Sequence, residues 1–270
     1  MFGAVCGDVI GSCYENHATK DYDFRLFRRS SRFTDDTVLT AAVCDAILFH
    51  PEPIRRMDME ERAKEYAVRF KAYFARHPHA GFGYMFRKWA RSDMLRRQKS
   101  YGNGGAMRVI PIGFAYEDIA QVELQVHASC LYTHGHPEAI RGAKAAADAV
   151  FLARTGHSKE EIRSFLTKRF HYDLQMNWEV LRSVYSFSSR TIDSVPPAIQ
   201  AFLDSSDYED AIRRAISLGG DADTMACIAG GIAEAFYGGV PEEILHFCKP
   251  RIDSGLRETL ERFRTAYTKT

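Results

Sequence analysis

A chain of 270 residues with 46% hydrophobic and 26% charged residues has an ordinary globular composition and can bury a sizeable core. Its formal net charge of +1 excludes a general nucleic-acid binder, whose surface would be strongly basic. Six cysteines (Cys6, Cys13, Cys44, Cys130, Cys227 and Cys248) form no C-x-x-C pair, which excludes a disulfide scaffold and points to buried thiols in a reducing cytoplasm.

The elements read as helices throughout. Met1 to Ile10 is apolar but lacks a basic leader and is interrupted by Asp8, so it is not a secretory signal, and no apolar run is long enough to span a bilayer. Gly7 and Gly11 share a helix face that permits close packing, and Glu15 falls near that helix's end. Thr34-Asp35-Asp36-Thr37 opens a second helix, with Val38, Leu39, Ala42, Val43, Ala46 and Ile47 on one face and His50-Pro51 as its stop. Residues 57–76 form a charged amphipathic helix. Ser100 to Arg108 is a glycine-rich loop, followed by helices over 117–131 and 137–154 that are split by Thr133 to Pro137. Helices over 158–169, 195–204, 207–218, 223–236 and 252–267 follow, with Phe187 to Val195 as the one extended candidate. Small residues at Ala226, Ala229, Gly230, Gly231 and Ala233 mark the 223–236 helix as central and buried.

Asp221-Ala222-Asp223-Thr224 repeats the earlier acidic pattern at the start of that central helix, after the flexible Gly219-Gly220. Alone, either cluster reads as a helix cap. Together, four carboxylates from distant sequence repel unless cations sit between them, and an oxygen-only set suits Mg²⁺, Mn²⁺ or Ca²⁺. The clusters need each other across about 185 residues, so no boundary falls between them and residues 1–270 read as one all-α domain. The Ser100–Arg108 loop can cradle an anion with its backbone N–H groups, with Arg108 adding a charge-assisted contact; a tight turn is the plain alternative. It is not a Walker loop, since Gly-Lys-Ser/Thr is missing. His134 and His136 read equally as ligand contacts or packing residues. The basic runs Arg25, Arg28, Arg29, Arg32 and Arg87 to Lys99 read as solvated faces, one or two of whose members steer a phosphate-bearing substrate.

Five segments in order resemble the ADP-ribosylglycohydrolase family, which includes dinitrogenase-reductase-activating glycohydrolase and the ADP-ribosyl-acceptor hydrolases. They are Gly3 to Gly11 with Glu15, Phe33 to Thr37, Gly102 to Arg108, Thr133-His134, and Gly220 to Thr224. The resemblance implies a compact multi-helix orthogonal bundle with a dinuclear Mg²⁺ or Mn²⁺ centre held by Thr34, Asp35, Asp36, Asp221, Asp223 and Thr224. It implies catalytic roles for Glu15, Asp36 and Asp221, and ADP-ribose binding by Tyr101, Gly102, Asn103, Gly104, Gly105, Met107 and His134. Glu15 stands where the serine-directed branch has a metal-linked glutamate, but the Glu15–Thr34 segment is shorter than in that branch, so the acceptor is not carried over. The expected reaction cleaves the glycosidic bond at the distal ribose C1″ of an ADP-ribosylated protein or small molecule and releases ADP-ribose. Nucleic acid enters only as an ADP-ribosylated acceptor, no membrane is involved, and the chain reads as a monomer. A Mg²⁺-dependent nucleotide phosphohydrolase and a non-catalytic ADP-ribose-binding relative are the alternatives.

Overall fold

The apolar start of the chain and the small-residue segment after Asp221 meet at backbone distance. The computed structural model describes residues 1–268, and in it α1 (Phe2–Gly11) lies along α12 (Ala222–Tyr237), with every residue of α1 buried. Glycine permits this approach. A Cβ at Gly7 would lie 2.1 Å from the Ala226 carbonyl oxygen, and one at Gly11 would lie 2.5 Å from that of Ala222. Ala222 through Ala233 are buried as well, so this pair forms the axis of the core.

The remaining helices wrap that axis: α2 (Asp35–Phe49), α3 (Met59–Arg76), α4 (Tyr84–Ala90), α5 (Ile110–Ala115), α6 (Ile119–Cys130), α7 (Pro137–Arg154), α8 (Lys159–Phe170), α9 (Trp178–Val184), α10 (Thr191–Leu203), α11 (Tyr208–Ser217), α13 (Glu242–Cys248) and α14 (Ser254–Tyr267). Helices α7, α10 and α11 pack on α12, while α2 packs on α3, α5 and α14. No strand occurs among the described residues; two isolated bridges, Lys99–His134 and Gly102–Arg190, hold the glycine-rich loop from either side. The all-α expectation therefore holds, and no described helix is long and apolar enough to cross a membrane.

Two readings of the sequence need correction. The Phe187–Val195 stretch is not wholly extended, because α10 begins at Thr191 and carries Pro196 and Pro197 inside it. Pro197 cannot donate to the Asp193 carbonyl one turn back, and the Tyr185 hydroxyl donates to that carbonyl instead at 3.1 Å. Helices α4, α9 and α13 were not foreseen. Each has seven residues, too few to display a helical period in sequence.

Candidate active site

Two helix starts from opposite ends of the chain converge on one cleft. At the start of α2, Thr34 is the N-cap in extended conformation, and its Oγ1 accepts from the Asp36 backbone N–H at 3.3 Å. At the start of α12 the N-cap is Asp221, whose side chain makes no capping bond. Its Oδ2 instead accepts from Asn103 Nδ2 at 2.8 Å, tying the acidic cluster to the glycine-rich loop. The Thr224 hydroxyl donates to Asp36 Oδ2 at 3.4 Å and links the two clusters.

The carboxylates form two groups that share a corner. Oxygens of Asp8, Asp36 and Asp223 lie within 4.8 Å of one another, and so do oxygens of Glu15, Asp221 and Asp223. Asp35 and Thr224 line the same cavity. Asp8 was not anticipated as a site residue; its one signal was a charge inside an otherwise apolar helix. Fully buried, it accepts from the backbone N–H groups of Thr34 at 2.9 Å and Thr37 at 3.1 Å, and from both threonine hydroxyls. Asp8 thus caps α2 from α1 and sets where Asp36 stands.

Burial and mutual repulsion press these groups toward their neutral forms. Burial, then the charge of Asp8, pushes Asp35 up to about 8. Burial also holds Asp36 well above the usual carboxylate range, reinforced by Asp8, Asp35 and Asp221, and holds Asp223 there with Asp36 and Asp221 adding to the effect. Glu15, half-buried, is raised by burial and then by Asp221. None of the six carboxylates is ion-paired with a lysine or arginine among the described residues. Asp36 Oδ1 is buried with no partner at all. An orphaned oxygen inside an oxygen-only, uncompensated acidic set fits a hard divalent cation.

The same cavity, of about 340 Å³, is also lined by Gly102, Asn103, Gly104, Met107, Thr133 and His134. That volume lies in the range of small-molecule sites. Gly104 lies close against the ring: a Cβ there would lie 3.0 Å from His134 Nε2 and would require the ring to shift by a few tenths of an ångström. Sequence reading missed Tyr84, Met85, Phe187 and Ser189, which also line the cavity but belong to a short helix and a loop with no local signal.

Thr34, Tyr101 and Gly105 are not in the lining. The Thr34 hydroxyl donates to Asp8 Oδ1 at 2.7 Å, behind Asp36. Tyr101 is 54% exposed beside His136, and Gly105 is buried against the His134 side chain. Arg108 departs from expectation. Instead of reaching toward a bound anion it is fully buried and donates to the Ser129 carbonyl and the Thr133 hydroxyl.

The all-helical fold brings two helix-start acidic clusters to one cavity of small-molecule size, and similarity to known proteins gives the class as a glycosyl hydrolase. The chain belongs to the ADP-ribosylglycohydrolase family, whose model matches residues 1–269. It is 29% identical to human ADP-ribosylhydrolase ARH3 over 92% of this chain and 88% of that one. It is also 29% identical to ADP-ribosylarginine hydrolase Tri1 of Pseudomonas putida, over 53% of this chain and 40% of that one. A solved ADP-ribosylglycohydrolase-related protein complex shares the fold with a TM-score of 0.69 and 21% identity, over 98% of this chain and 95% of that chain.

Proposed function

We propose that this one-domain chain, residues 1–270, hydrolyses the glycosidic bond at the distal ribose C1″ of an ADP-ribosylated protein or small molecule and releases ADP-ribose. The observation that carries the reading is that Glu15, Asp35, Asp36, Asp221 and Asp223 line a single cavity together with residues of the glycine-rich loop and His134. Two divalent cations, Mg²⁺ or Mn²⁺, would be held by Asp35, Asp36, Asp221, Asp223 and Thr224, with Asp8 and Thr34 supporting them from behind. Bound there, they supply Lewis-acid polarisation of ribose oxygens and of water.

The chain's own residues then divide the work. Gly102, Asn103, Gly104 and His134 hold the ADP-ribose, with Met107 packing beside it and Tyr101 and Gly105 supporting the loop. The anionic wall of Asp36 and Asp221 stabilises the positive charge that develops on the ribose as the C1″ bond breaks. Glu15, whose carboxyl is raised by burial, moves the proton: its carboxylate takes one from the attacking water, and the carboxylic acid so formed returns one to the leaving atom of the acceptor. The likeness to human ARH3 along most of both chains supports the ADP-ribosyl substrate. The six cysteines, all free and buried, support a reducing cytoplasmic setting.

The test is product analysis by mass spectrometry on ADP-ribosyl-arginine, ADP-ribosyl-serine and O-acetyl-ADP-ribose, with Mg²⁺ or Mn²⁺ and with EDTA. Cation-dependent release of intact ADP-ribose is the expected result. AMP and ribose phosphate would instead identify a phosphohydrolase, and tight ADP-ribose binding without turnover on any conjugate a binding protein.

A further inference from the structure

Arg108 is the largest fully buried side chain, and it has no carboxylate partner among the described residues. Its guanidinium lies over the Phe70 ring at 4.1 Å. Nη2 donates to the Ser129 carbonyl at 2.8 Å and to Thr133 Oγ1 at 2.7 Å, while Nε and Nη1 have no partner. A cation kept dry and half-satisfied is costly, and packing alone does not call for it.

Its consequence runs through one hydroxyl. Arginine has only donors, so the Thr133 oxygen receives a proton from Arg108 and its own hydrogen must find an acceptor elsewhere. Thr133 is buried, and its one other side-chain partner is His134 Nδ1 at 2.9 Å. Were Nδ1 protonated, the hydroxyl would sit between two donors with no protein acceptor for its hydrogen among the described residues. The satisfied arrangement makes Nδ1 the acceptor and leaves the ring proton on Nε2. Nε2 faces the glycine-rich loop, 3.0 Å from where a Gly104 Cβ would lie, on the wall of the cavity.

We propose that Arg108 and Thr133 are positioning residues that fix His134 as the Nε2–H tautomer and aim that N–H into the cavity as a donor to an oxygen of the bound ligand, a phosphoryl or ribose oxygen. The assignment of ligand rests on the ADP-ribose reading above; the tautomer does not. Burial, with the Arg108 charge second, also holds His134 well below its ordinary range, so the ring offers one N–H and one acceptor rather than two donors.

Substituting Arg108 risks unfolding, so the test uses Thr133→Val and Thr133→Ser in Mg²⁺-loaded protein whose circular dichroism matches the wild type. Ring ¹⁵N shifts of His134 are read by long-range ¹H–¹⁵N correlation, with His134→Gln supplying the assignment among the ten histidines. The wild type and Thr133→Ser should show the Nε2–H pattern, and Thr133→Val a mixture of tautomers. ADP-ribose affinity should fall by about tenfold in Thr133→Val, the worth of one well-placed hydrogen bond to a charged group, and hold in Thr133→Ser. An Nδ1–H pattern in the wild type, or unchanged shifts in Thr133→Val, would overturn the proposal. If the wild type binds no ADP-ribose the functional reading fails, while the ring shifts still decide the tautomer.

Discussion

Replacing Gly7 by alanine puts the link between helix packing and the acidic centre under direct test. The added Cβ would meet the Ala226 carbonyl oxygen at 2.1 Å, its carbon at 2.4 Å and the Cys227 nitrogen at 2.8 Å, all backbone atoms that cannot swing aside. Real Cβ contacts essentially never fall below 3.0 Å, so α1 and α12 must separate locally by about 1 Å. Overpacking of this kind costs about 1–3 kcal/mol, which for a chain of this size lowers the melting temperature by roughly 2–10 °C. Asp8 follows Gly7 directly and caps α2, so the same shift pulls Asp8 away from Asp223 in α12. Calorimetric titration with Mg²⁺ should therefore show affinity reduced about tenfold or more in protein that is still folded, a loss of ~1.4 kcal/mol. Unchanged melting and unchanged Mg²⁺ affinity would refute the idea that the glycine-mediated contact sets the geometry of the site.

Two further outcomes follow from features away from the cavity. Asp148 in α7 is fully buried with neither carboxylate oxygen partnered, and burial, with Glu123 adding to it, pushes its carboxyl from 3.8 up to about 8. The folded state therefore binds a proton that the unfolded chain releases, so this group's contribution is fully present below pH 3.8 and is lost as pH rises toward 8. Asp148→Asn should stabilise the protein by up to ~4 kcal/mol near pH 7 and by little near pH 4, measured by urea melts at both; equal effects at the two would contradict it. Lys20 Nζ donates to the carbonyls of Arg182 and Tyr185, both at 2.6 Å, and of Leu218, pinning the Glu15–Thr34 segment across α9 and the end of α11. Lys20→Met should speed chymotryptic cleavage in that segment several-fold, and an unchanged rate would show that the pin is dispensable.

Much of this architecture was legible in the sequence. The helix over 137–154 falls where its apolar spacing placed it, and the small residues after Ala226 do mark the central helix. The acidic clusters were visible because each combines carboxylates and threonines at a helix start, and the structure brings Asp36, Asp221 and Asp223 together with Glu15. What remained hidden depends on long-range contact. Asp8 looked like a stray charge because its four donors come from Thr34 and Thr37, beyond any local pattern. Arg108 looked like an anion contact because sequence does not reveal which way a side chain points; here it turns inward to Phe70 and Thr133. The cavity walls at Tyr84, Met85 and Phe187 come from a helix and a loop too short to show a period.

The central claim is that the two helix-start clusters form one cation-dependent centre for glycosidic hydrolysis. The most direct measurement is the release of free ADP-ribose from whichever conjugate the protein accepts, followed across a Mg²⁺ titration in wild type and in Asp223→Asn. Asp223 is the corner shared by both carboxylate groups, so the account predicts saturable Mg²⁺ dependence in the wild type and a loss of about 100-fold or more in the folded variant. Undiminished release in EDTA, or full activity in Asp223→Asn, would contradict it.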